Sequence, residues 1–244
     1  MTKHVLLNNI AHKDLKVITR HSPDYGDNIS AVLTFPTEFA DVQREYPILL
    51  RKDDTTGDFQ AVALLGLAKN DNLFLEDGGW QASYVPAIMA RGPFLIGFQE
   101  QEVEGEVRRE AVIHVDMDDP RVNDTEGEAV FLEHGGNSPY LERIVTVLNG
   151  IHSGMSYAAA MYQALAEFEL IEPVNLNIQV SQDEQYSLSN FYTVSDERLA
   201  ALDGDTLVKL NRAGFLEGAY LIKASLTNIK TLIELRRKRL AQRA

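Results

Sequence analysis

The chain has 244 residues, of which 45% are hydrophobic, and it contains no cysteine. Its length allows one large domain or two closely packed ones. The hydrophobic content is sufficient for a sizeable core and argues against a disordered chain. The absence of cysteine excludes disulfides, a thiolate nucleophile and cysteine metal sites, and it fits a reducing compartment. The formal net charge of -13 disfavours electrostatic binding to nucleic acid.

The N-terminus and the hydropathy pattern indicate a soluble, cytoplasmic protein. The first residues, MTKHVLLNNIAHKD, contain only a three-residue apolar run and no small-residue cleavage pattern, unlike a secretory signal. No run approaches the roughly 18 apolar residues of a membrane-spanning helix. We therefore expect no membrane span, and a location at the cell surface would need a dedicated export route.

The charge is unevenly distributed along the chain. Residues 100–128 contain eleven acidic residues against three Lys or Arg. This run predicts a solvated surface rather than a calcium site, because no EF-hand-like loop of oxygen ligands is present. The C-terminus is basic, which predicts a solvated helix end, with contact to an acidic partner as the alternative. Its cations are Arg236, Arg237, Lys238, Arg239 and Arg243.

The first half of the chain predicts an antiparallel sheet. Residues 29–35, 48–50 and 59–67 are rich in β-forming side chains and are separated by turn residues. Residues 95–103 and 107–115 predict a hairpin that turns at 104–106.

An aromatic group with one arginine is the first candidate site. Trp80, Tyr84 and Phe94 predict a small cluster that either packs in the core or offers flat apolar walls to a ligand. In the second case the Trp N–H and the Tyr O–H would serve as polar handles. Arg91 lies among them in sequence and could hold a carboxylate in a two-pronged hydrogen bond.

A possible iron site is the second candidate. On a strand, His114 and Asp116 project to the same side, as in the two-histidine, one-carboxylate triad of iron-dependent oxygenases. The third ligand would be His134 or, less suitably placed, His152. The alternative interpretation is a strand that ends in a turn, whose carboxylates accept hydrogen bonds from nearby backbone N–H groups.

The second half of the chain predicts mainly helices and one hairpin. Ser138 is a predicted helix cap, followed by two helices at 140–148 and about 157–170. Residues 174–180 and 186–194 predict the hairpin, and a last helix runs from Phe215 to the C-terminus. The fold class is therefore α+β, with an antiparallel β-rich N-terminal half packed against a mainly helical C-terminal half. We expect one domain over residues 1–244, with a possible division into 1–122 and 123–244.

The order and spacing of several segments resemble the bacterial SapC family over essentially the whole chain. The family takes its name from a gene linked to a bacterial surface layer, and the resemblance implies an accessory role in a surface layer or in peptide uptake or modification. It implies no catalytic residue, and the family pattern has an apolar residue where this chain has His114. The matching segments are Glu38-Phe39 with EYPILLRKD, ALLGLAKNDNLFL, Trp80 with YVPAIMARGPF, VDMDDPRV with LEHGGNSPYL, and GFLEGAYLIKASLTNIKTLIELRRKR.

Two functions remain open on the sequence. The favoured hypothesis is a non-enzymatic binding or accessory protein that needs no cofactor and engages a peptide or partner protein through Trp80, Tyr84, Arg91 and Phe94. The alternative is a metal-dependent, oxygenase-like enzyme that uses His114 and Asp116. A homo-oligomer is compatible with either hypothesis.

Overall fold

The structure is a computed structural model that describes residues 3–76, 78–103 and 106–242, with the backbone alone for 100–103 and 106–109. It confirms the α+β class, with antiparallel sheets and a helical C-terminal region. The predicted hairpin is present, but residues 104 and 105 of its turn and the acidic side chains within 100–109 lie outside the described part.

The helices and strands follow one another with short connections. The strands are β1 (His4–Leu6), β2 (Lys16–Val17), β3 (Ala31–Thr34), β4 (Ile48–Lys52), β5 (Phe59–Leu64), β6 (Leu75–Glu76), β7 (Gly79–Trp80), β8 (Phe94–Val103), β9 (Glu106–Asp116), β10 (Val122–Asn123), β11 (Glu128–Ala129), β12 (Ile171–Gln179) and β13 (Gln185–Val194). The α-helices are α1 (Phe39–Val42), α2 (Ala87–Ala90), α3 (Pro139–Glu167), α4 (Asp196–Ala200), α5 (Gly204–Arg212), α6 (Phe215–Ser225) and α7 (Ile229–Ala241). Short 3-10 helices cover Pro23–Tyr25, Pro36–Glu38 and Leu226–Asn228.

A five-stranded sheet in the order β12-β13-β4-β5-β3 forms the larger core. Its β4 begins with three fully buried residues, Ile48, Leu49 and Leu50, because this strand lies between two others and under helices. Helices α3 and α6 pack on this sheet through side chains such as Met161 and Ile222. The apolar runs of the first half therefore form the centre of the fold.

A three-stranded sheet in the order β1-β9-β8 carries the second core. Phe94 and Val115 face this core and meet the first turns of α3, where Leu141 and Ile144 are buried. Residues nearer the C-terminus of α3 pack instead in the larger core. One helix thus belongs to both hydrophobic clusters.

The structure has one helix, α3, where the sequence predicted two helices at 140–148 and 157–170. It is continuous over 29 residues from Pro139 to Glu167, and Ser138 caps it by accepting a hydrogen bond from Leu141 N, as predicted. Gly154 lies inside the helix because Phe35 packs there. A Cβ atom at Gly154 would come within 2.6 Å of the Phe35 Cβ. Close packing, rather than a helix break, accounts for this glycine.

The predicted last helix is divided by a 3-10 turn at Leu226–Asn228. At this point the Ser225 hydroxyl accepts a hydrogen bond from Ile48 N at 2.8 Å and donates to Ile222 O. Asn228 donates to the carbonyl of Gln43 at 2.7 Å. The Ser225 bond connects the helix to the central strand β4, and the Asn228 bond connects it to the end of α1. Side-chain bonds to backbone groups of this kind compete with the hydrogen-bond ladder of the helix.

The basic end of α7 packs against the protein, whereas the sequence predicted a solvated helix end. Arg236 binds Glu184 at 2.6 Å, and Arg239 binds Asp71 at 3.0 Å and the carbonyls of Asn72 and Leu75. The Arg236 and Arg239 side chains are only 16% and 21% exposed. Two arginines therefore hold α7 against the loop before β6 and the turn between β12 and β13.

Candidate binding groove

Trp80 and Tyr84 use their polar atoms inside the protein. Trp80 Nε1 donates to the Tyr46 hydroxyl at 2.9 Å, which in turn donates to the Tyr84 carbonyl at 2.5 Å. The Tyr84 hydroxyl donates to Glu38 at 2.8 Å. Burial, together with the negative charge of Glu38, raises the pKa of Tyr84. The predicted polar handles are therefore structural hydrogen bonds in this chain.

Phe94 lies in a different hydrophobic cluster from Trp80 and Tyr84. Its side chain is fully buried in the core of the three-stranded sheet, with its ring 6.0 Å from that of Tyr140 in an edge-on contact. Trp80 and Tyr84 are half-buried and pack against the larger core. The structure thus does not bring the three predicted aromatic residues into one cluster.

Arg91 is the predicted residue that lines a cavity. It follows α2, and its Nη1 donates to the Phe94 carbonyl at 2.8 Å. Its Nε is shielded from water and has no hydrogen-bond partner in the part of the chain that the structure describes. Burial lowers the pKa of Arg91, and the charge of Asp119 opposes this effect without forming an ion pair. Arg91 is therefore a half-buried cation to which no carboxylate of the described residues is bonded.

The cavity is a groove of about 860 Å³ along α3, within the usual size of ligand pockets. We call it the α3 groove. Residues on one face of α3 line it from Leu148 to Ala166 at helical spacing, including Met155, Ala159 and Tyr162. The remaining apolar lining is Leu33, Phe35, Phe59, Ala61, Ile88, Leu95 and Ile96. The groove therefore lies where both sheets approach the same helix.

Tyr162 is the second buried polar group at the α3 groove. Its side chain is 4% exposed, and no described group accepts a hydrogen bond from its hydroxyl. Burial raises the pKa of Tyr162, and the backbone amide of Ala61 opposes this only partly. Tyr162 was not identified from the sequence. The signal was the pair of small residues Ala158 and Ala159, which precedes Tyr162 by one helical turn and leaves space beside it.

The loop between β4 and β5 supplies the acidic side chains of the groove, Asp53 and Asp58. Asp53 accepts hydrogen bonds from the amides of Thr55 and Thr56, and these bonds lower its pKa. Asp58 is exposed. Because Ala61 follows this loop and lies beside Tyr162, the acidic loop belongs to the end of the groove near the C-terminus of α3.

The residues proposed for iron binding lie at and beyond the end of β9. His114 and Asp116 flank the buried Val115, so both occupy the outer face of the strand, as predicted. The His114 ring packs over Gly97 of β8, where a Cβ atom would come within 2.4 Å of its Nδ1. Asp116 instead lies opposite His4, with the His4 Nε2 3.7 Å from its Oδ2.

His134 lies in the exposed loop before α3. No three His, Asp or Glu side chains of the described residues are close enough to hold a metal ion together. Asp116 and Asp119 accept hydrogen bonds from the amides of Asp118 and Arg121, as the turn interpretation predicts. The iron site stays a prediction, which metal analysis of wild type and His114→Ala tests.

A buried ion pair between Asp27 and Arg121 was not found from the sequence. Arg121 Nη2 donates to Asp27 at 2.5 Å, and both side chains are less than a tenth exposed. Burial alone would raise the pKa of Asp27. Hydrogen bonds from His21 and the Ser22 amide, with the charge of Arg121, outweigh burial and hold that pKa below its usual value. This site joins the turn at Pro23–Tyr25 to the segment after β9.

The fold and the groove define an α+β protein with a mainly apolar groove along one long helix. Among the described helices, none combines the length and apolar character needed to cross a membrane. The SapC family model matches residues 7–232, and the chain belongs to the SapC family. No curated protein and no solved structure matches the chain.

Proposed function

We propose that this SapC family protein is a non-enzymatic binding protein with an accessory role, and that it binds an extended apolar peptide segment in the α3 groove. The observation that carries the proposal is the groove itself, about 860 Å³ with a mainly apolar lining from α3 and two sheets. Burial of apolar side chains from a ligand there would contribute roughly 25 cal/mol per Å².

The proposed binding surface, the α3 groove, differs from the surface predicted from the sequence. Of the four residues expected to engage a ligand, only Arg91 lines the α3 groove. Trp80 and Tyr84 have their polar atoms engaged by Tyr46 and Glu38. These contacts favour a supporting role for the aromatic pair, with ligand contacts made by residues of α3 such as Met155, whose side chain is 56% exposed.

A peptide as ligand agrees with the contexts that the family resemblance implies. A surface layer and a system for peptide uptake or modification would each present unfolded or extended segments to an accessory protein. An edge strand next to an apolar groove is a common way to bind such segments, through backbone hydrogen bonds and side-chain pockets. We therefore propose the same groove as the site in either context.

The test is to fill the groove without disturbing the core. Ala159 and its neighbour Ala160 are both exposed on α3, but only Ala159 lines the groove. The immobilised protein is exposed to a pool of octapeptides randomised over leucine, valine, alanine and serine, and the retained peptides are quantified by mass spectrometry. Wild type and Ala160→Trp should retain peptides, and Ala159→Trp should lose most of this retention. Equal retention by the three proteins, or none by wild type, would contradict the proposal.

A further inference from the structure

We infer that the α3 groove binds the free C-terminus of an apolar peptide, with Arg91 holding the terminal carboxylate. The inference rests on the proposed function and adds to it the chemical class and the direction of the ligand. It follows from the electrostatics of Arg91, from the strand edges beside the groove and from the different charges at the two ends of the groove.

Arg91 is the only cation among the residues that line the groove in the described part of the chain. Its Nη1 donates to the Phe94 carbonyl, while its Nε has no hydrogen-bond partner among the residues that the structure describes. A half-buried cation without a counter-charge destabilises the protein, and a ligand carboxylate would remove that cost. The Nε–Nη2 edge of a guanidinium matches a carboxylate in a bidentate arrangement. Because protein atoms shield Nε, the carboxylate reaches this edge through a rotation of the Arg91 side chain.

Two strand edges favour a peptide over an alkyl chain as the rest of the ligand. Leu33 and Thr34 belong to β3, and Leu95 and Ile96 belong to β8, and all four line the groove. Each of these strands stands at the edge of its sheet, without a further strand beside it in the described residues. An edge strand leaves backbone N–H and C=O groups unpaired, and an extended peptide can bond to them whereas a hydrocarbon chain cannot.

The two ends of the groove differ in charge. Gly92 and Phe94, next to Arg91, both approach Tyr140 in the first turn of α3. Asp53 and Asp58 belong to the loop before Ala61, which lies beside Tyr162 near the other end of the helix. A carboxylate is therefore attracted to the Arg91 end and repelled from the acidic loop, where a peptide would offer its N–H donors. This polarity sets the direction of the ligand.

The length of the groove defines the probe. Its lining on α3 runs from Leu148 to Ala166, 18 residues apart, which is about 27 Å at 1.5 Å per residue. An extended chain of about eight residues covers that distance. The octapeptide pool is therefore divided into one half with a free C-terminal carboxylate and one half with a C-terminal amide.

Retention of the two halves is compared for wild type, Arg91→Gln, Arg91→Lys and Arg212→Gln. Arg212 is an exposed arginine of α5 away from the groove and serves as the matched control. We expect wild type and Arg212→Gln to prefer the carboxylate form at least about tenfold, the value typical of a charge-assisted hydrogen bond. Arg91→Gln should show no preference. Arg91→Lys keeps the positive charge but not the forked guanidinium, and it should show a reduced preference for the carboxylate form. This variant replaces Arg91→Gln if circular dichroism shows that Arg91→Gln does not fold.

Each other outcome is decisive. Equal retention of both forms, still blocked by Ala159→Trp, would overturn the role of the carboxylate while the proposed function stands. Absence of retention of either form by wild type would overturn the proposed function and this inference together. Binding of palmitate that depends on Arg91 and exceeds binding of the carboxylate pool would assign the groove to a lipid and overturn the peptide as ligand.

Discussion

Arg121 and Arg91 show two ways in which this chain buries an arginine. Arg121 has Asp27 at 2.5 Å, the carbonyl of Tyr25 at 2.9 Å and the Tyr25 ring beneath its guanidinium. Arg91 has one backbone carbonyl and no carboxylate within ion-pair distance in the described residues. The first arginine is satisfied within the protein and therefore stabilises the fold. The second has unused bonding capacity beside a groove, which is the condition expected at a binding site.

The largest expected effect is a loss of stability when Arg121, the arginine paired with Asp27, is replaced. Arg121→Met should lower the free energy of unfolding by about 3 kcal/mol, because it leaves the buried carboxylate of Asp27 without its partner. Urea denaturation measures this change. Arg20→Met is the control, since Arg20 is 63% exposed in its ion pair with Glu126, and it should change stability by less than about 1 kcal/mol. Similar small losses for both variants would show that the buried pair contributes little.

A second buried ion pair lies under α7, where Asp71 uses its Oδ1 alone among the described residues. Asp71→Asn should cost about 2 kcal/mol, because Asp71 binds Arg239 at 3.0 Å and lies 3.7 Å from Arg236 while only 13% exposed. Hydrogen exchange should increase mainly in Ile229–Ala241. The control is Asp14→Asn, at a carboxylate that is 76% exposed. If exchange in α7 is unchanged by Asp71→Asn, the solvated helix end expected from the sequence would be the better description after all.

Replacing Arg91, the arginine without a paired carboxylate, by methionine should affect stability less than the same replacement of Arg121. Arg91→Met should change the free energy of unfolding by no more than about 1 kcal/mol in either direction, because removal of an uncompensated buried charge offsets loss of the hydrogen bond to the Phe94 carbonyl. Urea denaturation of Arg91→Met beside Arg121→Met makes the comparison directly. A loss as large as that for Arg121→Met would place Arg91 among the structural arginines.

The smallest effect is a pH dependence at Asp27. The pKa of Asp27 is lowered in the folded protein, so its contribution to stability is complete above the unfolded value of about 3.9 and is lost as the pH falls through the folded value. As the pH falls below about 4, stability should therefore decrease less steeply in Asp27→Asn than in wild type. Parallel slopes for the two proteins would contradict a lowered pKa. Asp24→Asn, at an exposed neighbouring position, should keep the wild-type slope.

The sequence predicted the fold better than the site, for physical reasons. Alternation and apolar runs specify β3, β4, β5 and the hairpin of β12 and β13, because these patterns depend on neighbouring residues. The continuity of α3 was missed, since Gly154 is explained only by contact with Phe35, far away in sequence.

The candidate site depends on contacts between distant segments. Arg91 was identified from the sequence, but Tyr162 is 71 positions later and joins it in the same groove only after folding. The polar atoms of Trp80 and Tyr84 resembled ligand handles because their acceptors, Tyr46 and the Glu38 carboxylate, are 34 and 46 positions away. The same limit applies to the arginines of α7, whose partners Asp71 and Glu184 lie in other elements.

The most direct test of the account is a crystal structure of the protein with an octapeptide selected from the carboxylate pool. We predict that the peptide lies along α3 between Leu148 and Ala166, with its terminal carboxylate about 3 Å from the Arg91 guanidinium. A peptide bound at Trp80 and Tyr84, or one in the groove with its N-terminus at Arg91, would contradict it.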